Sequence, residues 1–457
     1  MDERIASGAS SGSSPAPRLG FWNGRARRPA NAPMIRRVAI ETLAPTGEGI
    51  SRTSDGVGFI AGALPGEEVE AEVAEVRKRF WKGRAAAILA RSPLRLSGAH
   101  AEGCAGCDWS YLDLAAARDW KRALFLDTMQ RIGDLPAAPF GDLPVAASGA
   151  GYRLRSRFHA SGRGGSAVLG FHAPRTHRIE RADGCEALSP QMRARLRRMQ
   201  EAVAASGARL REIAAIESID AAHGLARATL EEGADRREAG ELLGALEPLW
   251  DGVVVVDASG AVVARSGAAR LAIQVGGREF RLMAGTFFQG NRHLVAALAD
   301  EVRLEAGRIP PGRALDAFGG IGLFAGALAD AGHAAVTVES DGGAVELALE
   351  SRKRWAEAGW EIVRSSVLAF VAGGSERFDV VVVDPPRAGL GLKLCRELPR
   401  RVGRVLIYVS CEPATLARDI AALRSGGLEV RRARLFDLFP FTHRVEAVVT
   451  LERAAGV

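Results

Sequence analysis

The last third of the chain contains two uninterrupted apolar runs, at residues 380–383 (VVVV) and 405–409 (VLIYV), within alternating helical and strand-like segments. Strands that are apolar on both faces are typical of parallel sheets covered by helices on both sides. A solvent-facing antiparallel sheet would instead alternate apolar and polar residues. The sequence therefore predicts a doubly wound, Rossmann-like α/β domain over residues 271–457.

The rest of the chain differs in composition from this domain. Residues 1–33 are rich in Gly, Ser, Pro and Arg without periodicity, which predicts a disordered basic tail. Short alternating strands separated by turns predict a small OB-like β-barrel at residues 34–94. Residues 95–270 predict an α+β middle domain, with a helix near 114–132 and a hairpin at 253–263.

Charge and composition narrow the class of protein. The chain has 61 Lys and Arg against 54 Asp and Glu, a net charge of +7, so a nucleic-acid partner is permitted. Residues 77–82 (RKRFWK) place cations beside two aromatics, which suits RNA, although a solvated hairpin with one aromatic in the barrel core is the alternative. Without a signal peptide or a membrane-spanning run, we expect a soluble cytoplasmic protein with no membrane partner.

The clearest motif is at residues 314–324 (ALDAFGGIGLF), where a strand leads through a glycine loop into a helix. Glycines such as Gly320 let the backbone approach a ligand, although a purely structural turn is the alternative. The next strand ends at Glu339, whose carboxylate can accept hydrogen bonds from both ribose hydroxyls of a nucleoside cofactor. Because the loop has neither GxGxxG order nor GKS/T, S-adenosylmethionine is favoured over NAD and ATP.

Three further candidates follow buried strands or precede the last one. Asp384 ends a strand at a Pro-Pro pair, which places it at the carboxyl edge of the sheet unless the pair is a plain turn. Cys411 ends the following strand and is either core filler or a nucleophile. Glu446 precedes the last strand and could be an exposed charge, while nearby His443 could bond locally.

Five segments together carry a family resemblance: FFQGN at 287–291, LDAFGGIG at 315–322, DPPRAG at 384–389, YVSCEPATLARD at 408–419 and FPFTHRVE at 439–446. The chain resembles the S-adenosylmethionine-dependent RNA uridine-C5 methyltransferases, and its barrel is similar to their TRAM domain. This resemblance implies that Gln289, Phe318, Glu339 and Asp384 contact the cofactor, that Cys411 is the nucleophile and that Glu446 is the general base.

The chemistry of uracil agrees with these residue types. C5 is too weak a nucleophile to take a methyl group directly, but addition of a thiolate at C6 makes it an enolate. A base must then remove the C5 proton so that the cysteine can leave, and a carboxylate in a dry pocket suits that step. The target base would have to be flipped out of its stack.

The sequence departs from the family in its metal ligands. Members with an iron–sulfur cluster have a cysteine six residues before a CxxC pair and another far downstream. Here Cys104, Cys107 and Cys185 are the candidate ligands, but Gly98 stands at the first position. Either His100 or an exogenous ligand completes a four-iron cluster, or the site is vestigial or binds zinc. Leu323 and the pair at 365–366 also replace residues that are commonly polar or Asn.

The resulting prediction is an RNA uracil-C5 methyltransferase that acts as a monomer on RNA, with ribosomal RNA favoured over transfer RNA. Alternating cations at Arg153, Arg155 and Arg157 are predicted to face phosphates from one side of a strand. Two other classes are an amino-group methyltransferase, disfavoured by Arg387 after the Pro-Pro pair, and a non-catalytic RNA-binding protein of the same fold.

Overall fold

The computed structural model describes residues 33–54, 56–97, 106–136, 138–141, 143–173, 176–357 and 359–454. The predicted tail, up to residue 32, and the segment 98–105 with Gly98, His100 and Cys104 lie outside the described residues. Within those residues, no helix has the length and apolar character needed to cross a bilayer.

The first unit is a six-stranded sheet with the spatial order β1-β5-β6-β4-β3-β2. Trp81 is fully buried against Ile60 and Val69 in its core. Phe80 is only half-buried, and the Lys82 ammonium lies 6.0 Å from its ring centroid. Of the two aromatics in the RKRFWK run, Trp81 therefore belongs to the core of the sheet, while Phe80 lies near the surface. The strands are β1 Ile35–Ala39, β2 Thr42–Leu43, β3 Gly49–Thr53, β4 Gly56–Ala61, β5 Glu68–Val76 and β6 Phe80–Ala90.

A helix and a short strand follow, α1 Leu114–Gly133 and β7 Val145–Ala146. The predicted helix near 114–132 is confirmed. It begins where the Asp113 side chain accepts hydrogen bonds from the amides of Ala115 and Ala116, and it ends at Asp134 in a left-handed conformation.

The second unit is a seven-stranded sheet with the order β10-β9-β8-β11-β12-β13-β14. One face packs on two helices through side chains such as Phe158, Ile213 and Val255. The predicted hairpin near 253–263 is confirmed as β13 and β14. A separate antiparallel pair, β15 and β16, follows. The elements are β8 Arg155–Ser161, β9 Val168–His172, β10 Ile179–Arg181, α2 Pro190–Ser206, β11 Leu210–Glu217, β12 Gly224–Leu230, α3 Arg236–Leu246, β13 Gly252–Val256, β14 Val262–Gly267, β15 Leu271–Val275 and β16 Arg278–Leu282.

The third unit is an eight-stranded sheet with the order β19-β18-β17-β20-β21-β23-β22-β7. Its first five strands are parallel. The four inner ones, β18, β17, β20 and β21, are mostly buried on both faces, as the apolar runs predicted for β20 and β21, whereas the edge strand β19 is partly exposed. Strand β23 is antiparallel to both of its neighbours. The elements are α4 Val295–Ala306, β17 Arg313–Ala317, α5 Leu323–Asp330, β18 Ala334–Glu339, α6 Gly342–Trp355, β19 Glu361–Arg364, α7 Val367–Gly373, β20 Phe378–Val383, α8 Gly391–Glu397, β21 Val402–Ser410, α9 Pro413–Arg424, β22 Leu428–Phe436 and β23 Glu446–Arg453.

A buried ion pair joins α1 to this sheet. The Lys121 Nζ atom donates to Asp437 Oδ1 at 2.5 Å and to the carbonyl oxygen of Phe439 at 3.1 Å, and both charged side chains are fully buried. Helix α1 packs against α9, and β7 pairs with β22. The segment between the first two sheets is thereby fixed to the third one, next to the chain that leads to Glu446.

We expect Lys121→Met to destabilise the protein by about 3–5 kcal/mol, because it leaves the Asp437 carboxylate buried without its partner. Urea unfolding followed by tryptophan fluorescence measures the loss. Arg122→Met on the same helix is the matched control, since Arg122 lies at the surface 3.7 Å from Asp119, and its cost should stay below about 1 kcal/mol. Equal losses of unfolding free energy in the two variants would show that the buried ion pair contributes no more to stability than the surface pair.

Candidate active site

The carboxyl ends of four neighbouring parallel strands meet at one edge of the third sheet. β17 leads into the glycine loop, β18 ends at Glu339, β20 is followed by Asp384, and β21 is followed by Cys411. Open α/β sheets bind their ligands at this edge. The structure therefore brings together side chains that were predicted from separate motifs.

The glycine loop turns tightly from β17 into α5. Phe318 has a φ of +61°, a left-handed conformation that is uncommon for a bulky residue. At Gly319 a Cβ atom would lie 2.4 Å from Asp316 Oδ2, so a larger residue would collide with the strand end. Gly320 has a φ of +55° and nothing within 4 Å of its Cβ position. The backbone at Gly320 is therefore open to a ligand.

Glu339 is held by the backbone around it. The amide of Gly320 donates to Glu339 Oε2 at 3.1 Å, and the amides of Ser340 and Asp341 donate to Oε1 at 2.6 and 2.8 Å. Each carboxylate oxygen can accept more than one hydrogen bond. Glu339 is thus oriented by its own loop and keeps acceptor capacity for a ligand.

Gln289 lies in the loop between β16 and α4, before the first parallel strand of the third sheet, and its side chain reaches the same edge. Its Nε2 atom donates to Asp384 Oδ2 at 2.9 Å. The next residue is tied to the middle sheet, because the amide of Leu154 donates to the carbonyl oxygen of Gly290 at 2.9 Å. The loop that carries Gln289 therefore links the second and third sheets at the site.

Two buried carboxyl groups, Asp316 and Glu446, and the half-buried carboxyl group of Asp384 lie close together at this edge. Asp316 Oδ2 accepts from the Ala325 amide and the Thr337 hydroxyl, while its Oδ1 has no hydrogen-bond partner among the described residues. Burial raises the pKa of Asp316 to about 7, and burial with the nearby Asp316 charge raises the pKa of Asp384 to about 7. Burial and Asp384 raise the pKa of Glu446 well above its usual range. A positively charged ligand here would stabilise the ionised carboxylates.

Cys411 lies half-buried beside these groups. Burial, Glu446 and Asp384 raise the pKa of its thiol to about 11, while the charge and a hydrogen bond of Arg387 act in the opposite direction. Sequence reasoning used Arg387 only to disfavour an amino-group methyltransferase. Its place beside the thiol makes Arg387 a functional candidate. The sequence could have indicated this, because Arg387 follows Asp384 by three residues, just past the end of the same strand.

The segment before Glu446 is fixed by contacts with two other parts of the chain. Phe441 has a φ of +66°, and its carbonyl oxygen accepts from the amide of Trp109 at 2.8 Å. His443 pairs with Asp108 through both its ring and its amide, and Trp109 Nε1 donates to the carbonyl oxygen of Gly47. His443 therefore connects this segment to residues 106–112 rather than capping its own loop.

Comparisons with known proteins agree with this geometry. Family models described as TRAM domain and tRNA (Uracil-5-)-methyltransferase match residues 34–86 and 366–454. The 23S rRNA (uracil(1939)-C(5))-methyltransferase of Halomonas elongata is 32% identical, over 93% of this chain and 91% of its own length. A protein of Streptomyces avermitilis named as an uncharacterized RNA methyltransferase is 33% identical, over 92% of this chain and 98% of its own.

This chain belongs to the RNA uracil-C5 methyltransferase family. The fold agrees with the crystal structure of Pyrococcus abyssi tRNA (uracil-54, C5)-methyltransferase in complex with S-adenosyl-L-homocysteine, with a TM-score of 0.72. The two chains are 23% identical over 91% of this chain and 99% of the other. The prediction of an S-adenosylmethionine-dependent RNA uracil-C5 methyltransferase with an N-terminal TRAM domain is therefore confirmed.

The methyltransferase site fits S-adenosylmethionine. This cofactor is positively charged at its sulfonium and ammonium groups. The site offers the buried Asp316 and the half-buried Asp384, whose raised pKa values a cation would lower. The departures at Leu323 and Ser366 have structural roles, because Leu323 is buried and Ser366 caps α7 by accepting from the Ala369 amide.

An iron–sulfur cluster, one of the alternatives for these cysteines, is not supported in this methyltransferase. Cys107 and Cys185 are both buried in the middle-domain core, and Cys104 lies outside the described residues. Within the residues that the structure describes, no group of three or more His, Cys, Asp or Glu side chains is arranged to hold a metal. The donor set does not fit a cluster that takes four thiolates, so no catalytic step is derived through one.

The three predicted phosphate-facing arginines do not share one environment. The Arg153 guanidinium lies 5.2 Å from the ring centroid of Phe171, on the helix-covered side of the middle sheet. Arg155 lies 4.4 Å from the ring centroid of Phe287, and Arg157 is exposed. The prediction is wrong for Arg153, because β8 begins only at Arg155 and strand alternation does not extend to Arg153. The sequence analysis included Phe287 only as part of the FFQGN segment and gave it no role, whereas the structure shows it as an exposed aromatic two residues before Gln289.

Proposed function

We propose that this enzyme forms 5-methyluridine in 23S ribosomal RNA. The observation that carries the chemistry is the juxtaposition of the Cys411 thiol, Arg387 and the Glu446 and Asp384 carboxyl groups at one sheet edge. The choice of ribosomal RNA is supported by the name of the Halomonas elongata relative, which spans nearly the whole chain. We further propose a cytoplasmic monomer with domains at 34–94, 95–270 and 271–457.

In this proposal S-adenosylmethionine supplies the methyl group when it is bound. Gln289 and Asp384, which already share a hydrogen bond, would hold it together with the open backbone at Phe318 and Gly320. Glu339 would accept hydrogen bonds from its ribose hydroxyls, using the acceptor capacity that its loop amides leave.

The protein's own groups carry the steps on the base. The Cys411 thiolate adds to C6 of the flipped uracil, with Arg387 stabilising the negative charge on sulfur. After C5 has been methylated, Glu446 removes the C5 proton. Elimination then breaks the bond between the Cys411 sulfur and C6 and restores the double bond between C5 and C6. Burial raises the pKa of Glu446, which makes its carboxylate a stronger base than an exposed one.

Transfer RNA is the second candidate substrate, because the family model that matches residues 366–454 is described by that activity. Incubation with methyl-labelled S-adenosylmethionine and unmodified transcripts of 23S rRNA and of tRNA from the source organism separates the two. We expect labelled 5-methyluridine in the 23S transcript at one position, mapped by nuclease digestion and mass spectrometry. Label confined to tRNA would overturn the choice of substrate, and label in neither would overturn the proposed function.

Replacing Arg387 by Ala should raise the pKa of the Cys411 thiol further above its ordinary value, since a cation that favours the thiolate is lost. At a given pH the variant then has a smaller fraction of thiolate than the wild type. The rate at which iodoacetamide alkylates Cys411 should therefore rise at a higher pH in the variant than in the wild type. The shift should be about one pH unit, the lower end of what one nearby opposite charge causes. This assay needs neither RNA nor cofactor.

Arg387→Lys keeps a positive charge and should restore part of the shift. Subtracting the alkylation of a Cys411→Ala protein removes the contribution of the other cysteines. An unchanged pH profile in Arg387→Ala would mean that this cation does not act on the thiol.

A further inference from the structure

The middle-domain sheet has one face that the helices α2 and α3 do not cover. Those helices pack on side chains such as Ala215, Ala226 and Val253. The alternate residues of the same strands point to the other side. Across five strands, paired residues on that side form one row: Arg157, Ala214, Arg227, Val254 and Arg265.

Three arginines in this row are separated by small or apolar residues. Because neighbouring strands lie roughly 4.8 Å apart, Arg157, Arg227 and Arg265 follow one another at intervals of roughly 10 Å. On the described strands β8 and β11–β14, Glu212 is the carboxylate on this face, and it lies 3.4 Å from Arg157. Arg227 and Arg265 have no ion-pair partner in the part of the chain that the structure describes.

The row opens into a cleft of 740 Å³ between the middle sheet and the methyltransferase domain. Arg227, Val254 and Arg265 line one wall, and the segment that contains Gly285 and Thr286 lines another. Asp341 and Arg270 also line it, and Arg270 pairs with glutamates of α6. On the wall formed by the sheet, Val254 and Val256 provide apolar surface beside the arginines. The unpaired charge from the sheet is positive.

The cleft leads to the active site along one chain segment. A Cβ atom at Gly285 would lie 3.2 Å from the Arg227 side chain, so this segment begins at the row. Two residues later the exposed Phe287 ring lies against Arg155. Another two residues on, Gln289 donates to Asp384. A strand bound along the row would therefore pass an aromatic surface immediately before the catalytic edge.

We infer that the open face of the middle sheet, defined by Arg157, Arg227 and Arg265, binds an unpaired strand of the substrate RNA and leads it over Phe287 to Cys411. The inference rests on the proposed function for the identity of the RNA. The guanidinium groups of the row can bind phosphate oxygens in a forked geometry, and the apolar side chain of Val254 between them can contact bases. An exposed aromatic ring such as that of Phe287 stacks on bases with little dependence on sequence.

The test compares two double variants that lose the same charge. Arg227→Ala with Arg265→Ala removes two cations from the row. Arg197→Ala with Arg198→Ala removes two exposed cations from α2, the helix on the opposite face of the sheet. Binding of a short fluorescent oligouridylate is measured by anisotropy in the full-length protein over a series of KCl concentrations. Ala214→Glu provides an independent variant that puts a carboxylate into the row while keeping every arginine.

For the row variant we expect a Kd about tenfold higher and a slope of log Kd against log salt that is smaller by roughly 1.4, since each phosphate contact to a single strand contributes roughly 0.7. Ala214→Glu should also weaken binding, and the α2 variant should stay within about twofold of wild type. With the 23S transcript, the row variant should raise KM and leave kcat near wild type. Equal slopes in the row and α2 variants would overturn the inference.

The methylation assay and the binding assay together distinguish a failure of this inference from a failure of the proposed function. A wild-type enzyme that methylates no 23S transcript, while the row variant still loses oligouridylate binding, contradicts the substrate and leaves the RNA path intact. A wild-type enzyme that methylates the transcript, while the row variant keeps the wild-type KM and salt slope, overturns the path alone. A row variant that fails to bind S-adenosylmethionine is misfolded, and Ala214→Glu then decides the question.

Discussion

Cys411→Ala should lower methyl transfer by more than about a thousandfold while S-adenosylmethionine binding stays close to wild type. Without the thiolate, C6 of uracil has no nucleophile to accept, and C5 does not become an enolate. The proposed cofactor contacts do not include the thiol, since they lie at Gln289, Glu339, Asp384 and the loop of Gly320. Single-turnover transfer of labelled methyl groups to RNA measures the first effect, and calorimetry with the cofactor measures the second.

Cys395→Ala is the matched control for this substitution. Its thiol is buried in the methyltransferase domain, on α8 near Asp419, and it does not belong to the proposed site. We expect its methyl transfer to remain within about tenfold of wild type, with a cost in stability instead. Residual turnover of Cys411→Ala above about a thousandth of wild type would show that a different group attacks C6.

Much of this site could be predicted because strand ends are visible in the sequence. Continuous apolar runs identify parallel strands, and the residues that follow such runs must meet at one edge of the sheet. Glu339, Asp384 and Cys411 each follow such a strand, so three separate motifs predicted one site, and the structure brings them together.

Contacts between distant segments were not predictable in the same way. The hydrogen bond of Gln289 to Asp384 spans 95 residues, and the ion pair of Lys121 with Asp437 spans 316. Periodicity reports which face of an element is buried but not which element covers it. The buried Lys121, in particular, could be read from the sequence only as a surface charge, because its partner is set by the packing of α1 on the third sheet.

The alternation rule also failed where a strand begins. Arg153, Arg155 and Arg157 alternate in sequence, but only the last two lie in β8. Before the strand, the backbone of Arg153 donates to the carbonyl oxygen of Ala187 and the next amide to that of Gly290. These bonds turn the chain towards the Gln289 loop and place the Arg153 guanidinium at Phe171. Residue spacing cannot show this change of direction, because it arises from loops more than 30 residues away.

Glu446→Gln should stop turnover and trap the enzyme on its RNA. Cys411 can still attack C6 and C5 can still be methylated, because neither step uses the Glu446 carboxylate. Removal of the C5 proton requires a base, and a glutamine amide is not one. The bond between Cys411 and the base should therefore persist. A denaturing gel with labelled RNA and S-adenosylmethionine should show a protein–RNA species that survives boiling in detergent.

Two further variants make the result specific to Glu446. The trapped species should disappear in Glu446→Gln with Cys411→Ala, because the covalent bond runs through that sulfur. Glu412→Gln changes a neighbouring half-buried glutamate at the start of α9 and should turn over without trapping, since it leaves the Glu446 carboxylate in place. Free turnover of Glu446→Gln would place the base elsewhere. An inactive Glu446→Gln without adduct would mean that this buried carboxyl group supports the fold or the attack by Cys411, since proton removal comes after the adduct has formed.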